Sequence, residues 1–253
     1  FPTRRSSDLP ITGMFFSVEV LLKKMTLRTV GVSLTMSTIA MLIGSLVKGF
    51  QPYYILHDMT FTLTSFIFIL ILAPLTGLAG GFFRRFFQWA EKNQTKSKSI
   101  LWQLPAIALM TGLVAYFFPE IMGNGRSLAQ FAINSQQMHL VVVLVCGALL
   151  KVIITVLTIR AGAAGGTLTP SIAVGSALGA VLVLLLNFFL PGVSVGQGAI
   201  LGAGTLLAAS QQAPFMAMFM LIEITHLNYS ALLPLALGII ISSAVSRKVL
   251  SKS

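Results

Sequence analysis

At 253 residues, 56% hydrophobic and only 9% charged, with a mean hydropathy of +0.91, the chain cannot be a soluble globule, which carries about 25% charged residues. Its 17 basic residues outnumber six acidic ones, for a net charge of +11, but they are spread over short connections between apolar runs, which is the bias of membrane loops and not a nucleic-acid surface. The single cysteine, Cys146, lies inside an apolar run, so neither a disulfide framework nor a thiolate metal site is available.

Residues 1–10 contain no initiator Met and no apolar core, so they are not a signal peptide. They read as translated sequencing adapter joined to a broken frame, and the membrane domain is expected over residues 11–253. Ile11 to Leu22 is roughly half the length a bilayer span requires, which makes it a half-helix or the end of a longer one. It carries Glu19 and is closed by Lys23 and Lys24. An acid at that depth is a functional candidate, and its closeness to two lysines equally supports a structural, capping or interfacial role.

Thr29 to Val47 and Phe61 to Phe83 are long enough to span, the second interrupted by Pro74, Gly77, Gly80 and Gly81. His57 and Asp58 fall in the polar loop between them. Arg84 to Ser99 reads as a basic cytoplasmic connection, and Leu101 to Phe118 crosses back. Gly123-Asn124-Gly125-Arg126 is a turn. Leu140 to Ile159 spans again with Lys151 in its middle, where the ammonium group snorkels or pairs, or draws an anion into a pathway. Later come Ser171 to Leu190, Ala199 to Ser210, a turn at Gln211-Gln212-Ala213-Pro214, the half-length Phe215 to Thr225 carrying Glu223, and Ser230 to Val245. Glu223, beside Thr225 and His226, is expected to cap or hydrogen-bond within a packed interface. His139 has no partner ligand at i+4 and is no metal candidate. His226 and Tyr229 lie in a connection, where an interfacial anchor is expected.

With these spans, Lys23, Lys24, Arg28, Arg84, Arg85, Lys92, Lys96, Lys98, Arg160, Arg247, Lys248 and Lys252 fall on one side, and Lys48 and Arg126 on the other. The first side is the cytoplasm.

The segment from Gly162 to Gly179 carries most of the functional signal. Gly162, Gly165 and Gly166 let backbone lie close to something small, and Thr169 before Pro170 reads as a helix start within the bilayer. Free amides and the positive end of the helix dipole then face a partner, for which an anion is suited. The competing reading is packing alone, because Gly175 and Gly179 form a GxxxG pair. A phosphate-binding P-loop is excluded, since no Lys-Ser or Lys-Thr follows the glycines. Half-length and glycine-interrupted segments mark transporters that bind substrate between broken helices. No HExxH or CxxC occurs, so no enzymatic machinery is visible and no cofactor is expected.

Gly166-Thr167-Leu168-Thr169-Pro170 resembles the GxFxP signature of the CLC chloride channels and proton/chloride antiporters, with Leu168 where Phe is usual. Gly202 to Ser210, then Ala213-Pro214 and Leu221-Ile222-Glu223-Ile224-Thr225, is similar to that family's second long signature. The resemblance implies an all-α polytopic membrane protein of broken-helix architecture with inverted repeats, here the C-terminal repeat plus the end of the first. It implies anion transport, with chloride or a similar small anion held by the backbone amides of Gly166, Thr167, Leu168 and Thr169, after a loop with Gly162 and Gly165 and a helix start at Pro170. It also implies a homodimer in a bilayer, in a bacterial inner membrane.

Phe16-Ser17-Val18-Glu19-Val20 is similar to a stretch in which antiporters of the family often carry two glutamates; Glu19 matches the first and Val20 replaces the second, the proton relay. The family's GSGIP-like and GREGP-like segments have no counterpart and would precede Ile11, and its anion-coordinating tyrosine would fall just beyond Ser253; Tyr229 is not that residue. One helix terminus supplies at most about 2 kcal/mol against an idealised cost on the order of 20 kcal/mol for placing an ion in low dielectric, so several donors must converge. The rival readings are another broken-helix transporter, for a carboxylate or a cation, and a membrane fragment that transports nothing.

Overall fold

The computed structural model describes residues 9–48, 53–55, 62–187, 189, 192–227 and 229–251. Residues 1–8, His57 and Asp58 lie outside them, as do Leu190, Pro191, Lys252 and Ser253. The described residues form helices α1 (Pro10–Phe15, continued by a π-helical turn Phe16–Leu21), α2 (Leu27–Lys48), α3 (Leu63–Lys92), α4 (Ile100–Phe117), α5 (Arg126–Asn134), α6 (Leu140–Arg160), α7 (Leu168–Leu186), α8 (Val195–Gln211), α9 (Pro214–Thr225) and α10 (Leu232–Ser251), with one-turn 3-10 segments at Pro119–Ile121 and Tyr229–Ala231.

Six of these, α2, α3, α4, α6, α7 and α10, are long and apolar enough to cross a membrane, and the chain is a multi-pass helical membrane protein. Large apolar side chains of α2 and α4 such as Leu42, Ile43, Leu109 and Leu113 stand exposed, which hydrocarbon solvent permits and water would not. At the other extreme α8 is buried from Gly196 to Ser210. It is the axis of the bundle, touched by α3, α5, α7, α9 and α10.

Close approach of α7 to α8 follows from glycines on both. A Cβ on Gly175 or Gly179 would collide with the carbonyl oxygen of Gly202 or Gly198, so the two backbones are in direct contact there. The GxxxG pair does pack helices, then.

Several expected boundaries change, among them α10, which runs on from Val245 to Ser251. First, α3 does not stop at Phe83 but runs on through the expected cytoplasmic connection to Lys92. Pro74 is carried inside it, and Arg84 and Arg85 turn inward to donate to the carbonyls of Ser210 (2.9 Å) and Val249. Phe83, Phe87 and Ala90 are buried at helical spacing on either side of those arginines, a continuation the charges obscure. Second, α8 begins at Val195, ahead of Ala199, because Ser194 and Gln197 form a capping box (3.2 and 2.8 Å). Third, α1 begins at Pro10 with Leu9 buried, just before the boundary expected at Ile11.

Candidate functional site

The loop between α6 and α7 is built as a sharp stop followed by an open approach. Past Arg160, Gly162 has φ +105 and its N–H donates to Ile159 (3.0 Å), ending α6; a Cβ there would run into Ile100 of α4. Gly165 and Gly166 are different. A Cβ on either would meet nothing within 4 Å, so open space lies beside the backbone.

The helix that follows starts two residues before the expected Thr169-Pro170. Its first residue is Leu168, its N-cap is Thr167, and Pro170 sits buried in the first turn, where its missing N–H costs no helical bond. Neither threonine caps through its hydroxyl. The Thr167 hydroxyl is engaged by the Gln211 side-chain amide (2.9 Å), and its carbonyl accepts the first helical bond, from Ser171 (3.0 Å). Ser171 also bonds Ser210 (3.0 Å). The C-terminal end of α8 therefore pins the N-terminal end of α7, and the Arg84 guanidinium tops that same carbonyl end. The backbone N–H groups of Gly166, Thr167, Leu168 and Thr169 donate to no described residue.

Three of those residues, Gly166, Leu168 and Thr169, border a cavity of about 1080 Å³ between α4, α6 and the start of α7. Gly166, Leu168, Thr169 and Pro170 form one wall; Gly123, Asn124 and Lys151 form another. Lys151 is buried, and its ammonium group donates to the carbonyls of Ile121 (2.9 Å) and Gly123 (2.6 Å), so it pairs with backbone and does not snorkel. The turn it holds packs tightly, since a Cβ on Gly125 (φ +100) would lie 2.8 Å from Ala173 of α7. Among the described residues no acid lines the cavity. A buried cation satisfied only by neutral dipoles, beside a helix N-terminus with free amides, leaves a net positive field with room for a small anion.

Glu19 and Glu223 do not line that cavity. Glu19 accepts from the backbone N–H of Met216 (2.8 Å) and Phe215 (3.4 Å), at the start of α9. Glu223, near the end of α9, accepts from the N–H of Ile11 and Thr12 (2.9 Å each) and from the Thr12 hydroxyl (2.5 Å), at the start of α1. Each half-length helix thus supplies the carboxylate that satisfies the other's free amides. The rings of Phe15 and Phe219 stack between them at 4.9 Å. The role expected of Glu223 matches this arrangement; the exchange between the two glutamates was missed. A signal for it exists, because Pro10-x3-Met14-Phe15-x3-Glu19 recurs as Pro214-x3-Met218-Phe219-x3-Glu223.

Val20 is partly buried against the core and carries no titratable group. No cluster of three or more His, Cys, Asp or Glu that could hold a metal occurs among the described residues.

Against known proteins, the family model described as Voltage gated chloride channel matches residues 8–247. Voltage-gated ClC-type chloride channel ClcB from Salmonella typhimurium is 28% identical over 248 residues, covering 94% of this chain and 58% of the relative. The protein of the same name from Escherichia coli O81 is 28% identical over 246 residues, covering 94% and 57%. The chain thus spans a little under three-fifths of the curated relatives it matches. Among solved structures, a slow cyanobacterial Cl−/H+ antiporter superposes with TM-score 0.78 at 23% identity, over 95% of this chain and 57% of its own. A CLC-type fluoride/proton antiporter gives TM-score 0.70 at 22% identity, over 96% and 59%. At those identities the likeness is one of fold.

Proposed function

The chain belongs to the voltage gated chloride channel family, and from that membership we propose that it forms part of a pathway for chloride or a similar small anion across a membrane, with the anion held by the backbone amides of Gly166, Thr167, Leu168 and Thr169. The observation that carries the proposal is the cavity at the start of α7, bordered by Gly166, Leu168, Thr169 and Lys151 and by no acid among the described residues. Partial charges suit transport. Amide dipoles replace a hydration shell without the deep trap that a bare, fully desolvated cation would create, so the ion both enters and leaves. The Lys151 charge is partly spent on the carbonyls of Ile121 and Gly123, which tempers it in the same way.

The names of the relatives and of the structural neighbours, chloride channel, Cl−/H+ antiporter and fluoride/proton antiporter, support a small inorganic anion as cargo. Gly162 ends α6 and aims the chain into the loop, and Gly165 and Gly166 keep the approach open. Self-association of two copies through α1, α2, α9 and α10 belongs to the same proposal, since among the described residues α2 packs chiefly on α1 and its π-helical continuation.

Chloride efflux from liposomes holding this chain, or a longer chain that contains it, tests the reading. Efflux well above protein-free vesicles, unchanged when sodium is replaced by potassium, is expected. Flux that follows sodium or an organic carboxylate, or no flux from folded protein, overturns it.

A further inference from the structure

A second hollow, of about 350 Å³, opens at the cytoplasmic end of the bundle, between the end of α3, the first turns of α4 and the last turn of α6. Its chemistry changes along its length. Asn93, Thr95, Gln103 and Arg160 form the polar end, and Ile107 and Leu157 form the apolar end. Ile107 also lines the larger cavity, so the apolar floor continues along α4 toward the middle of the bilayer.

The donors at the polar end are unspent. The exposed Arg160 guanidinium lies over the Trp89 ring at 5.1 Å, and it donates to no described residue. Gln103 accepts from the Thr95 hydroxyl (2.6 Å) through its amide oxygen, and its NH2 likewise donates to no described residue. Thr95 is itself fixed, its backbone N–H bonded to the Arg160 carbonyl (2.9 Å), so the connection after α3 is tied to the end of α6. Among the described residues no acid lines the hollow, while Lys92, Lys96 and Lys98 stand exposed at the same end and outnumber the exposed Glu91.

The height in the bilayer is marked independently. Both tryptophans of the chain, Trp89 and Trp102, are exposed here, and tryptophan collects at the boundary between hydrocarbon and headgroups. A hollow at that boundary, with planar donors above, apolar side chains below and surplus positive charge around it, suits a phosphate group covalently joined to an acyl chain.

We propose that this hollow is a binding site for an anionic phospholipid, whose phosphate is held by Arg160 and Gln103 and whose acyl chain lies along Ile107 and Leu157 between α4 and α6. Arg160 supplies a planar fork that matches phosphate oxygens, and the Trp89 ring keeps that fork at headgroup level. A free phosphate would use only the upper half of the site. The apolar floor is the reason to assign a lipid; Arg160 and Gln103, which hold the phosphate, do not line the cavity at α7, and Ile107 is shared between the two.

Native mass spectrometry of the chain, released from nanodiscs of mixed phosphatidylglycerol and phosphatidylcholine, tests the proposal. Phosphatidylglycerol is expected to be retained in preference to phosphatidylcholine. Arg160→Gln should weaken retention about fivefold, the worth of roughly 1 kcal/mol for one basic residue at an anionic surface. Ile107→Trp, which fills the floor and leaves every donor in place, should weaken it as well, and serves if Arg160→Gln does not fold. Inorganic phosphate in excess should not displace the lipid. Equal retention of the two lipids, retention unchanged in a folded Arg160→Gln or Ile107→Trp variant, or displacement by inorganic phosphate each overturns the assignment.

Discussion

Replacing Gly166 with Val separates an anion-binding role of the α7 loop from a packing role. A Cβ at this position meets nothing within 4 Å, and Gly166 is not among the residues with positive φ. The substitution should therefore cost the fold no more than about 0.5 kcal/mol, and the reduced freedom of the unfolded chain offsets part of that. Its effect on an anion is different in kind. The branched side chain occupies the space beside the N–H groups of Gly166 and Thr167, and its stiffness resists rearrangement of the loop. Hydrogen bonds to a charged partner are worth about 1.5–3 kcal/mol each, so loss of one predicts at least a tenfold fall in anion affinity or flux.

Chloride efflux from liposomes measures the flux, and thermal unfolding in detergent measures the fold. Gly162→Ala is the contrasting control: with φ +105 and Ile100 in the way, it should destabilise the protein before any effect on transport is seen. A folded Gly166→Val protein with wild-type flux would refute the assignment of these amides and reduce the loop to a connector.

Val20 in place of a second acid predicts weak or absent coupling to protons; simultaneous recording of chloride and proton flux checks this, and a fixed, voltage-independent ratio would overturn it. Glu19→Ala and Glu223→Ala should each cost about 1–2 kcal/mol of stability, in the range of a lost helix cap. Because both act on one α1–α9 contact, the double variant should cost less than the two added together, and additivity in a double-mutant cycle would contradict the reciprocal arrangement. Single-molecule photobleaching in bilayers should find dimers, and a folded population that stays monomeric at high protein-to-lipid ratio would sink self-association through α1, α2, α9 and α10.

What the amino-acid sequence determined by itself is what the bilayer demands segment by segment. Apolar length is a local property, which is why the spans from α2 to α10 and the half-length α1 and α9 could be read directly. The GxxxG pair and the glycine loop were also legible, because few other residues allow such close or unusual backbone.

Tertiary structure decided where each buried polar group finds its partner. In a medium of low dielectric every such group must be satisfied, and the partner is often far away in the chain. Lys151 settles on the carbonyls of Ile121 and Gly123, Glu19 on the amides of α9, Glu223 on those of α1, and Arg84 and Arg85 on the carbonyl ends of α8 and α10. Those choices moved the end of α3 from Phe83 to Lys92. At the start of α7, the Gln211 side chain engaged the hydroxyl of Thr167, and Gly166, Leu168 and Thr169 were left lining the cavity. Local propensity can place a helix start within two residues; which donors remain free there depends on what packs against it.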